Sequence, residues 1–226
     1  MEPIDTEALG RAFRRREALV ALGGLAGVAF WRGAHSAIAA DPAADAAAVC
    51  FLQPEVTEGP FWIANHLTRR NVTEGKHGTP LALHITVVDS GCKPISGADV
   101  EIWHADASGN YSAGSQRFLR GHQRADANGR VLFDTIYPGW YRGRTPHIHL
   151  KVHVGGRVVH TGQLFFSDAM TASVYRHGVY RGRGQADTSN SADMIYSEAG
   201  GSRAKVALTR RSAGGYSGRV TVGVRT

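Results

Sequence analysis

Pro138-Gly139-Trp140-Tyr141-Arg142-Gly143-Arg144-Thr145-Pro146-His147-Ile148-His149-Leu150-Lys151-Val152 is the stretch on which the reading of this chain turns. In its second half Ile148, Leu150 and Val152 alternate with His147, His149 and Lys151, the period of a half-buried β-strand with one apolar and one polar face. The two histidines share a face, and two imidazoles pointing the same way form one edge of a metal site. Tyr141 and Arg144 arrive just upstream in a Gly- and Pro-rich loop that can turn them back over that edge. Alone, the His-x-His pair is a weak signal, because it occurs in zinc enzymes, in iron sites and among surface histidines. A zinc hydrolase built on it would want a third His or a carboxylate. His153 shares the face but lies further along, and His160 is across a hairpin. A two-His, one-carboxylate iron site lacks an evident acid here, and what lies nearby is phenol.

Further strands follow on either side. Leu81, Leu83, Ile85 and Val87 alternate with Ala82, His84, Thr86 and Val88, giving a strand over 81–88 that ends at Asp89-Ser90-Gly91. A turn through Pro94 and Gly97 leads to a second strand over 98–104, and Asp106-Ala107-Ser108-Gly109-Asn110 is a turn that delivers Tyr111. Residues 120–127 are polar and read as a connection; Asn128-Gly129 then turns into a third strand over 131–136. The opening stretch supplies the fourth strand, and Gly155-Gly156 is a hairpin turn into a fifth over 158–166. Ser167-Asp168-Ala169-Met170 reads as a helix start, 175–184 as an irregular basic loop, and 205–210 and 216–224 as the last strands. Before all of these, 53–62 carries Pro and Gly spacing that opposes helix and strand, so it is expected to be an ordered loop laid over the domain. Short periods and the lack of a long amphipathic helix predict an all-β fold, an antiparallel β-sandwich with long loops and little helix. No second domain, repeat or low-complexity tract is evident.

The first 39 residues read as an address. Arg14-Arg15-Arg16 precedes a mildly apolar, Gly- and Ala-rich run over 18–30 and then Ala37-Ile38-Ala39, a small-x-small cleavage pattern. The run is shorter than the roughly 20 apolar residues a bilayer span needs and is broken by Gly23, Gly24 and Gly27, so no stable membrane anchor is expected. The paired arginines, weak hydrophobicity and Arg32 point to the twin-arginine export machinery, and so to a periplasmic or extracellular protein whose folded domain spans 40–226. That route carries folded protein, which suits one that acquires its metal inside the cell. The formal charge is +7, but Lys and Arg are scattered with no basic helix or aromatic-interleaved stripe, which argues against nucleic acid as a partner. Cys50 and Cys92 are the only cysteines, and an even pair in an exported chain predicts a disulfide; two unrelated buried thiols are the alternative.

The chain resembles the intradiol ring-cleavage dioxygenases, the catechol and protocatechuate group. The matching residues are Cys50-Phe51-Leu52-Gln53-Pro54-Glu55, Thr57-Glu58-Gly59-Pro60-Phe61, Ile102-Trp103-His104-Ala105-Asp106-Ala107-x-Gly109-x-Tyr111-Ser112, Phe118-Leu119-Arg120-Gly121, Thr135-Ile136-x-Pro138-Gly139-x-Tyr141, Arg144-x-Pro146-His147-Ile148-His149 and Gln163-Leu164-x-Phe166. They run in order through nearly all of the mature chain. The resemblance implies a non-haem Fe(III) held by Tyr111, Tyr141, His147 and His149, with Tyr111 the more loosely held tyrosinate. It implies that a catechol-type substrate binds through both oxygens and that O2 opens the ring between them to a cis,cis-muconate-type diacid, both oxygen atoms entering the product. Arg144 matches the family's charge-stabilising arginine and Gln163 its glutamine beside the site. Gly59, Pro60 and Trp140 are placed as substrate-pocket walls, and the resemblance allows a homo-oligomer.

Two departures bear on substrate. Only five residues separate Tyr141 from His147, where the cytoplasmic enzymes carry longer insertions, and the N-terminal helical dimerisation region of the catechol enzymes is missing. A shorter loop implies a more open pocket, and export points to environmental catechols, lignin- or plant-derived. A competing reading comes from Pro94-Ile95-Ser96-Gly97-Ala98-x-Val100, Asp126-x-Asn128-Gly129-x-Val131-x-Phe133 and Pro138-Gly139-x-Tyr141, which also look like the general transthyretin-like sandwich of secreted binding and scaffold domains. Such a module has no need of Tyr111 or of the His-x-His strand. A zinc hydrolase using His147 and His149 is the third reading.

Overall fold

The computed structural model describes residues 50–64 and 67–226, so the expected export signal lies outside the described residues. Eight strands form two four-stranded sheets: β1 (Pro80–Val88), β2 (Asp99–Trp103), β3 (Arg120–Arg124), β4 (Arg130–Ile136), β5 (His147–Val154), β6 (Arg157–Phe165), β7 (Ala207–Arg210) and β8 (Tyr216–Gly223). One sheet runs β4-β1-β8-β7 and the other β3-β2-β5-β6. All pairings are antiparallel except β1 with β8, which run parallel. The two short helices are α1 (Asp168–Tyr175) and α2 (Met194–Glu198). Ser167 caps α1 by accepting from the Met170 amide, as the Ser-Asp start anticipates.

The alternation read from the sequence is what joins the sheets. Leu81, Leu83, Ile85 and Val87 of β1 face Val100, Ile102, Ile148, Leu150 and Val152 of β2 and β5, all buried in one core cluster. Each such side chain contributes about 1.5–3 kcal/mol on burial. Cys50 and Cys92 form a disulfide with a Cα separation of 5.0 Å, tying the start of the described chain to the turn after β1.

β5 departs from the expectation of a half-buried strand, because its polar face is covered as well: His147, His149 and Lys151 are all buried. Loops roof that face. The Val56 amide bonds to the Thr161 carbonyl of β6, and the Arg69 and His122 amides bond across between the 67–69 segment and β3. Val56, Ile195 and Tyr196 pack on Phe165, Ala199 and Ala204. β3, whose polar run predicts a connection, is a strand. Its core-facing residue is Gly121, set against Val72, while Arg120 and His122 face the covered polar side, so apolar alternation never appears. The basic 175–184 segment is a 3-10 turn (Gly178–Arg183) rather than an irregular loop. Tyr175 and Tyr180 stack there at 5.3 Å, and their hydroxyls donate to the carbonyls of Pro138 (2.8 Å) and Tyr137 (2.6 Å), pinning the segment that leads to Tyr141. Among the described residues no helix is long and apolar enough to cross a membrane.

Candidate metal centre

Four side chains meet on the covered face of the β3-β2-β5-β6 sheet, at the start of β5. His147 and His149 come from the strand itself, Tyr141 from the loop before it, and Tyr111 from the loop between β2 and β3. The two tyrosine loops lie backbone to backbone. The Gly139 amide donates to the Asp106 carbonyl at 3.1 Å, and a Cβ at Gly139 would sit 2.2 Å from that oxygen, so only glycine allows this approach. Asp106 also shapes the Tyr111 loop, its Oδ1 accepting the amides of Ser108 (2.9 Å) and Asn110 (3.0 Å).

The donor atoms converge. Tyr111 Oη lies 3.3 Å from His147 Nε2 and 3.1 Å from His149 Nε2, Tyr141 Oη lies 3.2 Å from His147 Nε2, and the two Nε2 atoms are 3.1 Å apart. His147 Nδ1 donates to the Thr145 carbonyl at 2.7 Å, a contact that assigns the ring hydrogen to Nδ1 and turns the Nε2 lone pair inward. Burial, then the Arg144 charge, pushes the His147 pKa down to about 3; burial and His147 push His149 well below its ordinary value. Both rings are therefore neutral, the form that ligates metal. Burial, then the neighbouring Tyr141, raises Tyr111 well above the ordinary tyrosine value, and burial raises Tyr141 against the opposing charge of Arg144.

Converging lone pairs of two neutral imidazoles and two phenol oxygens fit a cation, and phenols that resist ionisation call for a hard, highly charged one. Among the described residues no cluster of three or more His, Cys, Asp or Glu is arranged to hold a metal ion, so the third ligand a zinc site would want is not found among them.

Arg144 reaches the same place. Its Nη1 donates to Tyr141 Oη at 3.4 Å, its Nη2 to Gln163 Oε1 at 2.6 Å, and its Nε to Asp193 Oδ2 at 2.8 Å. Gln163 stands directly across from His149 in the β5–β6 register, and its Nε2 donates to the Thr57 carbonyl at 3.1 Å. Gly59 touches the site, since a Cβ there would lie 3.4 Å from His149 Cε1, whereas Pro60 beside it is exposed. Trp140 packs against the core beneath the Arg183 guanidinium, 4.5 Å away, and its carbonyl accepts from Arg183.

Several residues at the site stand outside the expected set of ligands and pocket walls. Phe61 stacks on Tyr111 at 4.2 Å and is 38% exposed, an aromatic at the mouth. Trp103 stacks flat on His149 at 4.9 Å. Buried Arg120 donates to Ser112 Oγ (2.5 Å) and to the Ser112 carbonyl (2.7 Å), holding the residue after Tyr111. Asp193 has no local motif. The alternation of Asp99 and Glu101 with Val100 and Ile102 along β2 was a further signal, beside His147, His149 and Lys151 of β5, that polar groups would line this face.

The chain has relatives among known proteins. The family model described as Dioxygenase matches residues 56–175, more than half of the chain and the segment that holds Tyr111, Tyr141, His147, His149 and Gln163. A catechol 1,2-dioxygenase of Acinetobacter lwoffii is 33% identical over 99 residues, 39% of this chain and 32% of that protein. The protocatechuate 3,4-dioxygenase beta chain of Burkholderia cepacia is 34% identical over 120 residues, 43% of this chain and 51% of that protein. The matches thus span about a third to a half of the length of these curated relatives. A solved intradiol ring-cleavage dioxygenase from Tetranychus urticae superposes with a TM-score of 0.75 at 34% identity, covering 78% of this chain and 95% of that one. With the β-sandwich, the matched segment and this structural likeness all in agreement, the chain belongs to the intradiol ring-cleavage dioxygenase family.

Proposed function

We propose that the protein is a non-haem Fe(III) enzyme that cleaves a catechol-type aromatic between its two hydroxyl-bearing carbons with O2, giving a cis,cis-muconate-type diacid. The observation that carries this reading is the meeting of Tyr111, Tyr141, His147 and His149 with neighbouring donor atoms 3.1–3.3 Å apart. These four would hold the iron, two phenolates and a hydroxide offsetting its charge inside a buried site. Ferric iron, when bound, supplies Lewis-acid activation of the catechol oxygens and an acceptor for ring electron density. Arg144 donates to Tyr141 Oη, so its charge steadies that phenolate and leaves Tyr111 Oη as the base for a substrate hydroxyl proton. The same fixed charge offsets negative charge that develops on the ring. Gln163, engaged at both ends, keeps Arg144 and the 57–60 loop in place. The gap of five residues between Tyr141 and His147 favours an open pocket and substituted, plant- or lignin-derived catechols. The chain is exported through the twin-arginine route; lysine in place of Arg14, Arg15 and Arg16 should leave it in the cytoplasm, and unchanged export would refute that route.

The test is direct. Iron-loaded protein should be red-brown from phenolate-to-iron charge transfer, and catechol should shift that colour and consume oxygen. Iron-loaded but colourless protein would overturn the tyrosinate site. A protein that takes zinc in place of iron and hydrolyses esters would favour the hydrolase.

A further inference from the structure

We propose that Asp193 is a positioning residue for this reaction: it aims the Arg144 guanidinium at Tyr141 and Gln163 and, through the Thr145 peptide, fixes which nitrogen of His147 faces the site. The inference rests on the functional reading above and goes beyond it. Asp193 follows His147 by 46 residues, in a segment that supplies no metal donor, yet it is only 2% exposed.

Both of its oxygens are fully used. Oδ2 accepts Arg144 Nε at 2.8 Å and the Thr145 amide at 2.9 Å, while Oδ1 accepts the amides of Ile195 (2.9 Å) and Tyr196 (3.3 Å) at the start of α2. A helix cap would need only Oδ1. The second oxygen serves the metal centre. With Nε anchored, the planar guanidinium cannot roll, and its two amino groups must point at Tyr141 and Gln163.

The Thr145 peptide is clamped by the same segment. Its amide is held by Asp193, its Oγ1 donates to Asn190 Oδ1 at 2.9 Å, and Asn190 in turn donates to the Phe166 carbonyl at 2.7 Å. The Thr145 carbonyl is the acceptor for His147 Nδ1 at 2.7 Å. One carboxylate therefore sets two things at once: the direction of the only guanidinium touching Tyr141 among the described residues, and the carbonyl that leaves the His147 Nε2 lone pair facing the site. Its negative charge also balances Arg144 where both are largely out of water.

The test separates this role from capping. In Asp193→Ser a hydroxyl can still cap α2 but is too short to reach Arg144 as well. An amide has a single oxygen, so Asp193→Asn can satisfy one pair of contacts but not both, and it serves as the second variant should the serine form fail to fold. In metal-free protein labelled with nitrogen-15, the Arg144 Nε–H should exchange slowly in the parent and rapidly in Asp193→Ser, with the His147 Nδ1–H signal weakened. In iron-loaded protein, kcat for catechol should fall about tenfold or more while KM moves less than about threefold. In an Arg144→Ala background the same substitution should cost clearly less than in the parent, because only the Thr145–His147 arm remains to be lost. A serine variant with a protected Arg144 Nε–H and parental turnover would reduce Asp193 to a cap, and multiplying effects in the double variant would refute action through Arg144. If the parent itself neither colours nor turns over, the functional reading fails, while the nitrogen-15 result still decides whether Asp193 holds Arg144.

Discussion

Gly139→Ala should damage stability and the metal centre together. The added Cβ would stand 2.2 Å from the Asp106 carbonyl oxygen and 2.7 Å from that of Ala107, and both obstacles are backbone, which no rotamer change can move aside. Contacts of this kind are not tolerated below about 3 Å, so the Tyr111 and Tyr141 loops must part by nearly 1 Å. Gly139 does not have a positive φ, so the cost is steric alone. Overpacking of this kind costs about 1–3 kcal/mol, which for a domain of this size lowers Tm by about 2–4 °C per kcal/mol. The chemical effect should be larger, since a displacement of about 1 Å in a reacting geometry can cost roughly a hundredfold in rate. Gly114→Ala is the control. Gly114 has φ +58 with nothing within 4 Å of the added carbon, so that variant carries only the left-handed backbone cost of about 1 kcal/mol, away from this contact. Thermal melts, iron content and oxygen uptake on the two variants decide the matter. A Gly139→Ala protein with parental Tm, colour and turnover would show that the two loops do not bear on each other.

Three further expectations follow from the same geometry. Tyr141→Phe should weaken both the charge-transfer colour and turnover, because it removes the phenol that Arg144 contacts; unchanged absorption would remove Tyr141 as a ligand. His104, fully buried with its Nε2 2.7 Å from Thr135 Oγ1, has its pKa pushed down by burial to about 4. The unfolded chain therefore binds the extra proton first as pH falls, so this contribution is complete above about pH 6.5 and declines toward pH 4, by about 3 kcal/mol in all. Denaturant titrations at pH 7 and pH 4.5 should show that decline flattened in His104→Asn, and equal slopes would contradict it. Reducing the Cys50–Cys92 bridge, or replacing Cys50 by Ser, opens a loop with a sequence separation of 42 and should cost about 4 kcal/mol on the loop-entropy model; thiol counting with and without reductant checks the bond, and an unchanged Tm would refute the magnitude.

What could be read in advance was local. The alternation of His147-Ile148-His149-Leu150 assigns both imidazoles to one face, and the Gly155-Gly156 turn dictates that β6 returns beside β5. Tyr141 and Arg144 stand in the same stretch, whereas Tyr111 and Gln163 were reached only by resemblance, because their spacing in the chain has no period. Tyr111 precedes His147 by 36 residues and reaches the site from the β2–β3 loop, while Gln163 follows His149 by 14 and meets it through register across the sheet. β3 escaped notice for a related reason: both faces of that strand are spoken for, one by close packing at Gly121 and the other by polar groups, so the apolar signature of a strand is absent.

Periodicity reports which way a side chain points relative to its neighbours, and here that sufficed for a sandwich of short strands with a His-x-His face. It says nothing about what covers that face. Tertiary structure alone decided that β5 is buried on both sides, that Phe61 stacks on Tyr111, that Arg120 holds Ser112, and that Asp193 ties Arg144 and Thr145 to the centre. Apart from Arg120 and Ser112, eight residues apart, these are contacts between segments far apart in the chain. Their energy comes from satisfying buried polar groups and packing rings, and that depends on the partner delivered by the fold rather than on the residues next door.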